Sequence, residues 1–246
     1  MSGHSKWSTI KRKKGAADAK RGQIFSKLSR EITIATKLGG GDADLNPRLR
    51  LILLKAKGAN MPLDNIKRAI EKGEGAGEAG AFVDLQYEVY GPGGVGILVE
   101  ATTDNRNRTA GEVRFIISKN NGDLGSAGSV TRLFQRKGQI MIPRDAADED
   151  ELMELALEAG AEDFLVEEEG YEILTDPAHF DPVLKAIETK EIAFDSAELT
   201  HLTIQPAIVT NPKEVAAVLR FVDALEEQDD VNDVFTNMED QSESEA

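Results

Sequence analysis

Cysteine is absent from this 246-residue chain, which excludes disulfides, thiolate metal sites and cysteine nucleophiles. Only three histidines occur, and the spacing of His4, His179 and His201 does not form a metal-binding set. No apolar run approaches the ~20 residues that span a bilayer, and the polar, basic N-terminus differs from a secretory signal. The sequence therefore predicts a cytoplasmic protein with no membrane partner, metal or cofactor.

Residue sets that specify a reaction are also missing. GPGGVG at 91–96 fits the dinucleotide pattern G-x-G-x-x-G, but that site needs a following helix, and here the strand-like GILVEATT follows. We interpret the glycines as a hairpin turn. The acidic clusters at 148–151 and 167–169 lie on predicted solvent faces. We therefore predict a protein that is not an enzyme, with no catalytic residues and no small-molecule substrate.

Positive charge is concentrated at one end of the chain. Residues 1–72 carry seventeen Lys and Arg against six Asp and Glu, a net charge of +11, whereas the remaining residues carry a net charge of −26. A basic segment ahead of an acidic body indicates a polyanion-binding module on a soluble carrier.

The N-terminal 72 residues have the pattern of a three-helix domain. After a basic arm at 1–15, apolar residues recur at helical spacing over 16–38, and further helices begin near Pro47, behind an Asn46 cap, and near Pro62. The glycine-rich stretch 73–81 predicts a linker.

Beyond the linker the hydrophobic period changes to that of strands. The pattern predicts strands at 84–90 and 96–103, a helix at 106–119, a β-α-β-β-α-β unit over 139–195, then a strand at 200–206, a helix at 212–227 and a strand at 231–236. We expect a multidomain α and α+β protein with two ferredoxin-like domains, in which 131–199 is inserted into a domain built from 82–130 and 200–238. The acidic tail 239–246 is predicted to be disordered.

The strongest functional signal is a cluster of cations around one tryptophan. The candidate nucleic-acid-binding residues in this region are Lys6, Trp7, Lys11, Arg12, Lys13, Lys14, Lys20, Arg21 and Lys27. Clustered cations neutralise phosphates and release counterions, and an exposed Trp7 can stack on a base. The alternative is that Trp7 packs on the helices and the lysines only solubilise the chain.

TTDNRNRT at 102–109 ends a predicted strand and opens a predicted helix. Arg106 and Arg108 would then lie beside unpaired backbone N–H groups, which favour an anion such as phosphate. The equally weighted alternative is that Asp104 or Asn105 caps the helix and the arginines pair with the protein's own carboxylates.

Several long motifs carry a family resemblance. They are GHSKW (3–7), KRKKGAADAKRGQIFSKLSREI (11–32), ANMPLDNIKRAI (59–70), YEVYGPGGVGILVEATTDNRNRT (87–109), and GSAGSV with the Lys-Gly of 137–138. Over residues 3 to about 238 the chain resembles the YebC/PmpR family, which includes bacterial proteins labelled transcriptional regulators and the mitochondrial translational activator of cytochrome oxidase. The resemblance implies a helical domain, two α+β domains and a cytoplasmic, non-enzymatic role in gene expression.

Two functions fit these observations. One is a DNA-binding transcriptional regulator, which the family label favours, although no base-reading helix is obvious in the sequence. The other is a translation factor that binds ribosomal RNA or the ribosome, which needs cations and stacking groups but no such helix. The residues alone fit the second slightly better.

Overall fold

The computed structural model describes residues 6–75 and 82–242, and the side chains within 21–75 and 82–242. The helices in this part of the chain are α1 Lys6–Gly39, α2 Pro47–Gly58, α3 Leu63–Gly75, α4 Arg106–Lys119, α5 Glu149–Glu158, α6 Phe180–Thr189 and α7 Pro212–Glu226. The strands are β1 Val83–Tyr90, β2 Gly96–Thr103, β3 Asp123–Leu124, β4 Phe134–Pro143, β5 Asp163–Val166, β6 Gly170–Thr175, β7 Ser196–Thr203, β8 Ala207–Val209, β9 Val231–Thr236 and β10 Met238–Asp240. No helix of the described residues is long and apolar enough to cross a membrane.

Within the described residues, the first of two units takes in 6–9, 82–135 and 203–242. Its main sheet has the order β3-β1-β2-β9, and the neighbouring strands are antiparallel. The core of this unit combines Val99 of β2, Val113 of α4 and Phe221 of α7, all fully buried. The predicted hairpin is confirmed, because β1 and β2 pair across a short turn at Pro92–Gly94, where Gly93 and Gly94 have positive φ angles.

The second unit takes in residues 10–75 and 136–202. Its sheet has the order β5-β6-β4-β7, in which β6 lies antiparallel between β4 and β5. This is the split β-α-β order of a ferredoxin-like fold. Ile140, Ile173 and Val183 are fully buried in its core.

The three N-terminal helices of the second unit have a core of their own around Ile32, Leu49 and Ala56. The Asn46 side chain caps α2 by accepting the N–H of Leu49 at 3.1 Å, as the sequence predicts, and its amide also donates to two backbone oxygens. Arg50 of α2 forms an ion pair with Asp181 of α6 at 2.5 Å. Helix α2 is thereby joined to α6.

The predicted class of multidomain α and α+β protein is confirmed, with corrections to particular elements. The first sheet differs from the ferredoxin-like order, because a tight turn rather than a helix joins β1 to β2. The strand predicted at 191–195 is wrong, because these residues form a turn and a loop, and Glu191 has a positive φ. Ile192 and Phe194 give the segment its strand-like pattern, but both pack on the core from the loop. The strand predicted at 200–206 is found, but with shifted bounds, because β7 begins at Ser196 and ends at Thr203, and it pairs in the second sheet.

The structure also corrects the predictions for the N-terminal arm, the linker and the C-terminal tail. The arm at 6–15 is helical, continuous with α1, and α3 continues to Gly75, inside the predicted linker. In the predicted tail, β10 pairs in parallel with β8, and the N–H of Gln241 donates to the carbonyl of Val209 at 3.0 Å. Backbone pairing orders this polar segment, and Met238 at its start packs on the core. Residues 76–81 of the linker and 243–246 of the tail lie outside the described residues.

Candidate nucleic-acid interface

Helix α1 carries most of the predicted contact residues. It is 34 residues long, or about 51 Å at the rise of an α-helix. Ala16, Ala17 and Ala19 favour helix across the basic segment, and no proline interrupts it. The side chains predicted as contacts from Lys6 to Lys20, including Trp7, lie outside the described side chains. Arg21 is exposed and Lys27 is half-buried on the same helix.

The second predicted contact lies at the start of α4. The Asn105 side chain accepts the backbone N–H of Arg108 at 3.1 Å and caps the helix. The backbone N–H of Asn105 donates to the Thr103 hydroxyl at 2.9 Å. Arg106 is exposed, and within the described residues its guanidinium has no hydrogen bond or ion pair. Arg106 is therefore the arginine that remains available to an external anion.

Arg108 has a different environment. Its Nη2 donates to the Asp230 carboxylate at 2.9 and 3.1 Å and to Asp104 at 3.0 Å. The hydrogen bond to Asp230 and then the one to Asp104 raise the pKa of Arg108 above its usual value. For this arginine the geometry supports the alternative of pairing with the protein's own carboxylates.

Asp230 is the buried centre of that network, at 2% exposure. It also accepts hydrogen bonds from the hydroxyls of Thr109 at 2.6 Å and Thr103 at 3.2 Å, both fully buried. A carboxylate taken out of water needs such partners, because its desolvation is costly. Asp230 thus ties the first turn of α4 to the segment between α7 and β9, 122 residues further along the chain than Arg108.

Glu88 is a functional candidate that the sequence analysis missed. It lies on β1, and its carboxylate accepts the N–H groups of Gly128 and Val130 at 2.6 Å each and of Thr131 at 2.9 Å. Burial alone would raise the pKa of Glu88, but the N–H donors of Thr131, Gly128 and Val130 outweigh it and lower the pKa. The carboxylate fixes the loop that contains the GSAGSV motif.

The loop has further fixed points. Tyr90 donates its hydroxyl to the Ser129 carbonyl at 3.1 Å, and a Cβ at Gly125 would come within 2.5 Å of the Ser129 hydroxyl. Gly128 has a φ of +81°. The glycine-rich composition of 120–130 was the available signal, since a loop of that kind presents many backbone N–H groups that need an acceptor.

Helix α3 adds a third group of cations. Lys67, Arg68 and Lys72 are exposed, and none has an ion-pair partner within the described residues. Within the described part of the chain there is also no cluster of three or more His, Cys, Asp or Glu residues that could hold a metal. The described surface thus offers cations on α3 and α4.

Comparison with known proteins accounts for nearly the whole chain. Residues 5–76 match the family model of the TACO1/YebC protein N-terminal domain, and residues 82–238 match that of the TACO1/YebC second and third domain. The chain belongs to the TACO1/YebC family. The resemblance found in the sequence motifs is therefore confirmed.

Individual relatives match over nearly their full length. A probable transcriptional regulatory protein of Rubrobacter xylanophilus is 52% identical over 97% of this chain and 96% of its own length. One from Geobacter sulfurreducens is 53% identical with the same coverage. The crystal structure of a conserved hypothetical protein, Aq1575 from Aquifex aeolicus, superimposes with a TM-score of 0.77 at 44% identity, over 94% of this chain and 95% of that one. The TACO1/YebC fold is therefore shared along the chain.

Proposed function

We propose that this TACO1/YebC protein is a cytoplasmic, non-enzymatic regulator of gene expression that binds DNA. The observation that carries the proposal is the full-length identity of about half of all residues with relatives named probable transcriptional regulatory proteins. The separation of charge supports it, because a chain with a net charge of −15 has a net charge of +11 in its first 72 residues.

Helix α1 is the main contact in this proposal. Lys6, Lys13 and Lys20 recur at seven-residue spacing, which is nearly two helical turns, so they return to almost the same side of the helix about 10.5 Å apart. Lys11 and Lys14, three residues apart, share another side of the helix, and Arg12 lies on a third. A row of lysines along one side matches a phosphate backbone, which binds through charge rather than base sequence.

The start of α4 is the second proposed contact. Arg106 supplies an unpaired guanidinium beside the helix N-terminus, where backbone N–H groups favour an anion. Arg108 supports this contact indirectly, because its bonds to Asp230 and Asp104 hold the first turn in place. Arg106→Ala should therefore weaken binding, and Arg108→Ala should first lower stability.

Crosslinking in cells, followed by sequencing of both bound DNA and bound RNA, tests the proposed target. We expect enrichment at promoters that is lost when Lys6, Lys13, Lys20 and Arg106 are replaced together by glutamine. Enrichment on ribosomal RNA instead would assign the chain to the ribosome-binding alternative. Enrichment on neither would remove nucleic acid from the proposal.

Trp7 offers a separate test of base stacking. If Trp7 stacks on a base, Trp7→Ala should weaken nucleic-acid binding by about 1–3 kcal/mol while the melting temperature stays unchanged. Binding isotherms and thermal melts of the same preparations separate this outcome from the alternative. A fall in melting temperature with binding lost only in proportion to unfolding would show that Trp7 packs on the helices.

A further inference from the structure

A shallow groove runs between α4 and α7 on the first unit, beginning about one helical turn beyond Arg108. It encloses about 440 Å³ and is lined by Gly111, Glu112, Phe115, Ile116, Ala224, Glu227 and Gln228. The nucleic-acid proposal uses none of these residues. Both ionisable residues of the lining are glutamates.

Phe115 is the unusual member of the lining because its ring is in solvent. Its exposure is 68%, whereas Val113 and Ile117 of the same helix are buried in the core. One turn earlier, Gly111 has no side chain, and a Cβ built there meets nothing within 4 Å. The ring therefore has an open flank, which a side chain from another molecule can fill. Large aromatic side chains that fill a pocket are common anchors of protein interfaces.

The acidic side of the groove is held in a fixed geometry. Gln228, 9% exposed, donates its side-chain N–H to Glu112 at 2.6 Å. The amide oxygen of Gln228 accepts the backbone N–H groups of Asp230 at 2.6 Å and Val231 at 2.9 Å. Because the amide is bound at both ends, the Glu112 carboxylate is positioned before any ligand arrives, which lowers the entropy cost of binding.

We infer that the groove docks a lysine- and arginine-rich segment of another protein that inserts one apolar side chain beside Phe115. The charges select this occupant, because the lining combines the carboxylates of Glu112 and Glu227 with apolar residues, and the aromatic face adds attraction for a cation. Nucleic acid does not fit, because its phosphates would face Glu112 and Glu227. The inference is independent of the proposed DNA binding, which uses α1 and the start of α4.

Peptide titration of the full-length protein tests the inference. The probe is an amidated peptide of alternating lysine and leucine with a central tryptophan, and its counterpart has glutamine in place of every lysine. We expect the cationic peptide to shift the NMR amide signals of α4 and α7, and the neutral one to bind at least tenfold more weakly. Phe115→Ala should weaken binding about tenfold, and Glu112→Gln with Glu227→Gln should weaken it about threefold to tenfold.

Two control variants isolate the groove. Lys119→Gln removes a cation one turn beyond Phe115 on α4 and should not weaken binding. Leu157→Ala removes another exposed apolar side chain, on α5, and should have no effect. Because Phe115 is exposed, its alanine variant should keep the wild-type melting temperature and DNA binding.

Several results would overturn the inference. Equal binding of the neutral peptide would exclude charge recognition, and unchanged binding by Phe115→Ala would place the peptide elsewhere. Sedimentation that shows a dimer lost in Phe115→Ala, and not displaced by the peptide, would assign the groove to a second copy of this chain instead.

Discussion

The two four-stranded sheets of this protein differ in how the chain supplies their strands. The sheet of the second unit is built from one continuous stretch, residues 134–203. The sheet of the first unit pairs β2 with β9, which comes more than a hundred residues later. Pairing of such distant segments closes a long loop before it gains any contact. The order of the first unit therefore depends on the C-terminal segment.

The difference also concerns the candidate interface. The start of α4 is held by Asp230, which lies just before β9, so a C-terminal residue positions a predicted contact near the middle of the chain. The basic row on α1 comes instead from one continuous stretch of the sequence, residues 6–20. Folding and binding should accordingly respond to different substitutions in the two regions.

The largest expected effect is that of ending the chain at residue 200. This removes Phe221, Leu225 and Val231 from the core of the first unit and leaves β2 without its β9 partner. We expect residues 82–130 to be unfolded, since a hairpin with one helix cannot bury its apolar face. Limited proteolysis with mass spectrometry should find rapid cleavage there. A chain that ends at residue 242 is the control and should resist cleavage.

Protection of 82–130 in the shortened chain would contradict the proposal that 82–130 and 200–238 form one domain. It would also remove the contrast between a continuous and a discontinuous sheet.

The sequence predicted correctly those turns and helix starts that depend only on residues close to each other in the chain. The Asn46 cap followed by Pro47, the turn at 91–95 and the helix at 106–119 are all found where their residues indicate. These features need only neighbouring residues to form.

Contacts between segments that lie far apart in the sequence could not be predicted from local signals. Ser196–Thr203 belongs to the second sheet because of its partner strand, and Met238–Asp240 is ordered by pairing with β8 and by Met238, which packs on the first core. Asp230 and Arg108 could not be matched either, because nothing local links residues so far apart in sequence. The acceptor role of Glu88 was hidden for the same reason, since its donors come some forty residues later.

A smaller but still large effect is expected for Asp230→Ala. It leaves Thr103, Thr109 and Arg108 without their shared acceptor, so unfolding should require about 2–4 kcal/mol less free energy. Asp104→Ala is a matched control, because Asp104 bonds the same Arg108 nitrogen from a half-exposed position and should cost about 0–1 kcal/mol. Denaturant titration measures both. Equal losses of unfolding free energy would show that the buried Asp230 network stabilises the protein no more than a surface ion pair does.

Charge removal on α1 should affect binding and not stability. Lys6, Lys13 and Lys20 replaced by glutamine should weaken DNA binding at all sequences and flatten the slope of log affinity against log salt by up to about three. Glutamine at Lys11, Arg12 and Lys14 removes the same charge from two other sides of the helix and should have a smaller effect. Fluorescence anisotropy over a salt series compares them. If the two triple variants behave alike, net charge rather than the row of lysines determines binding.

The smallest expected effect comes from protonating Glu88. Because its pKa is lowered in the folded protein, ionised Glu88 stabilises the loop fully above the unfolded-state pKa, and this contribution is lost as pH falls through the lowered folded-state value. Glu88→Gln should cost about 1–2 kcal/mol at neutral pH, and its difference from wild type should shrink toward pH 3. Amide hydrogen exchange at Gly128, Val130 and Thr131 measures the stability of the loop directly. Glu154→Gln, at an exposed position of α5, is the control. A difference that is constant with pH would mean that the shape of the Glu88 side chain, rather than its charge, holds the loop.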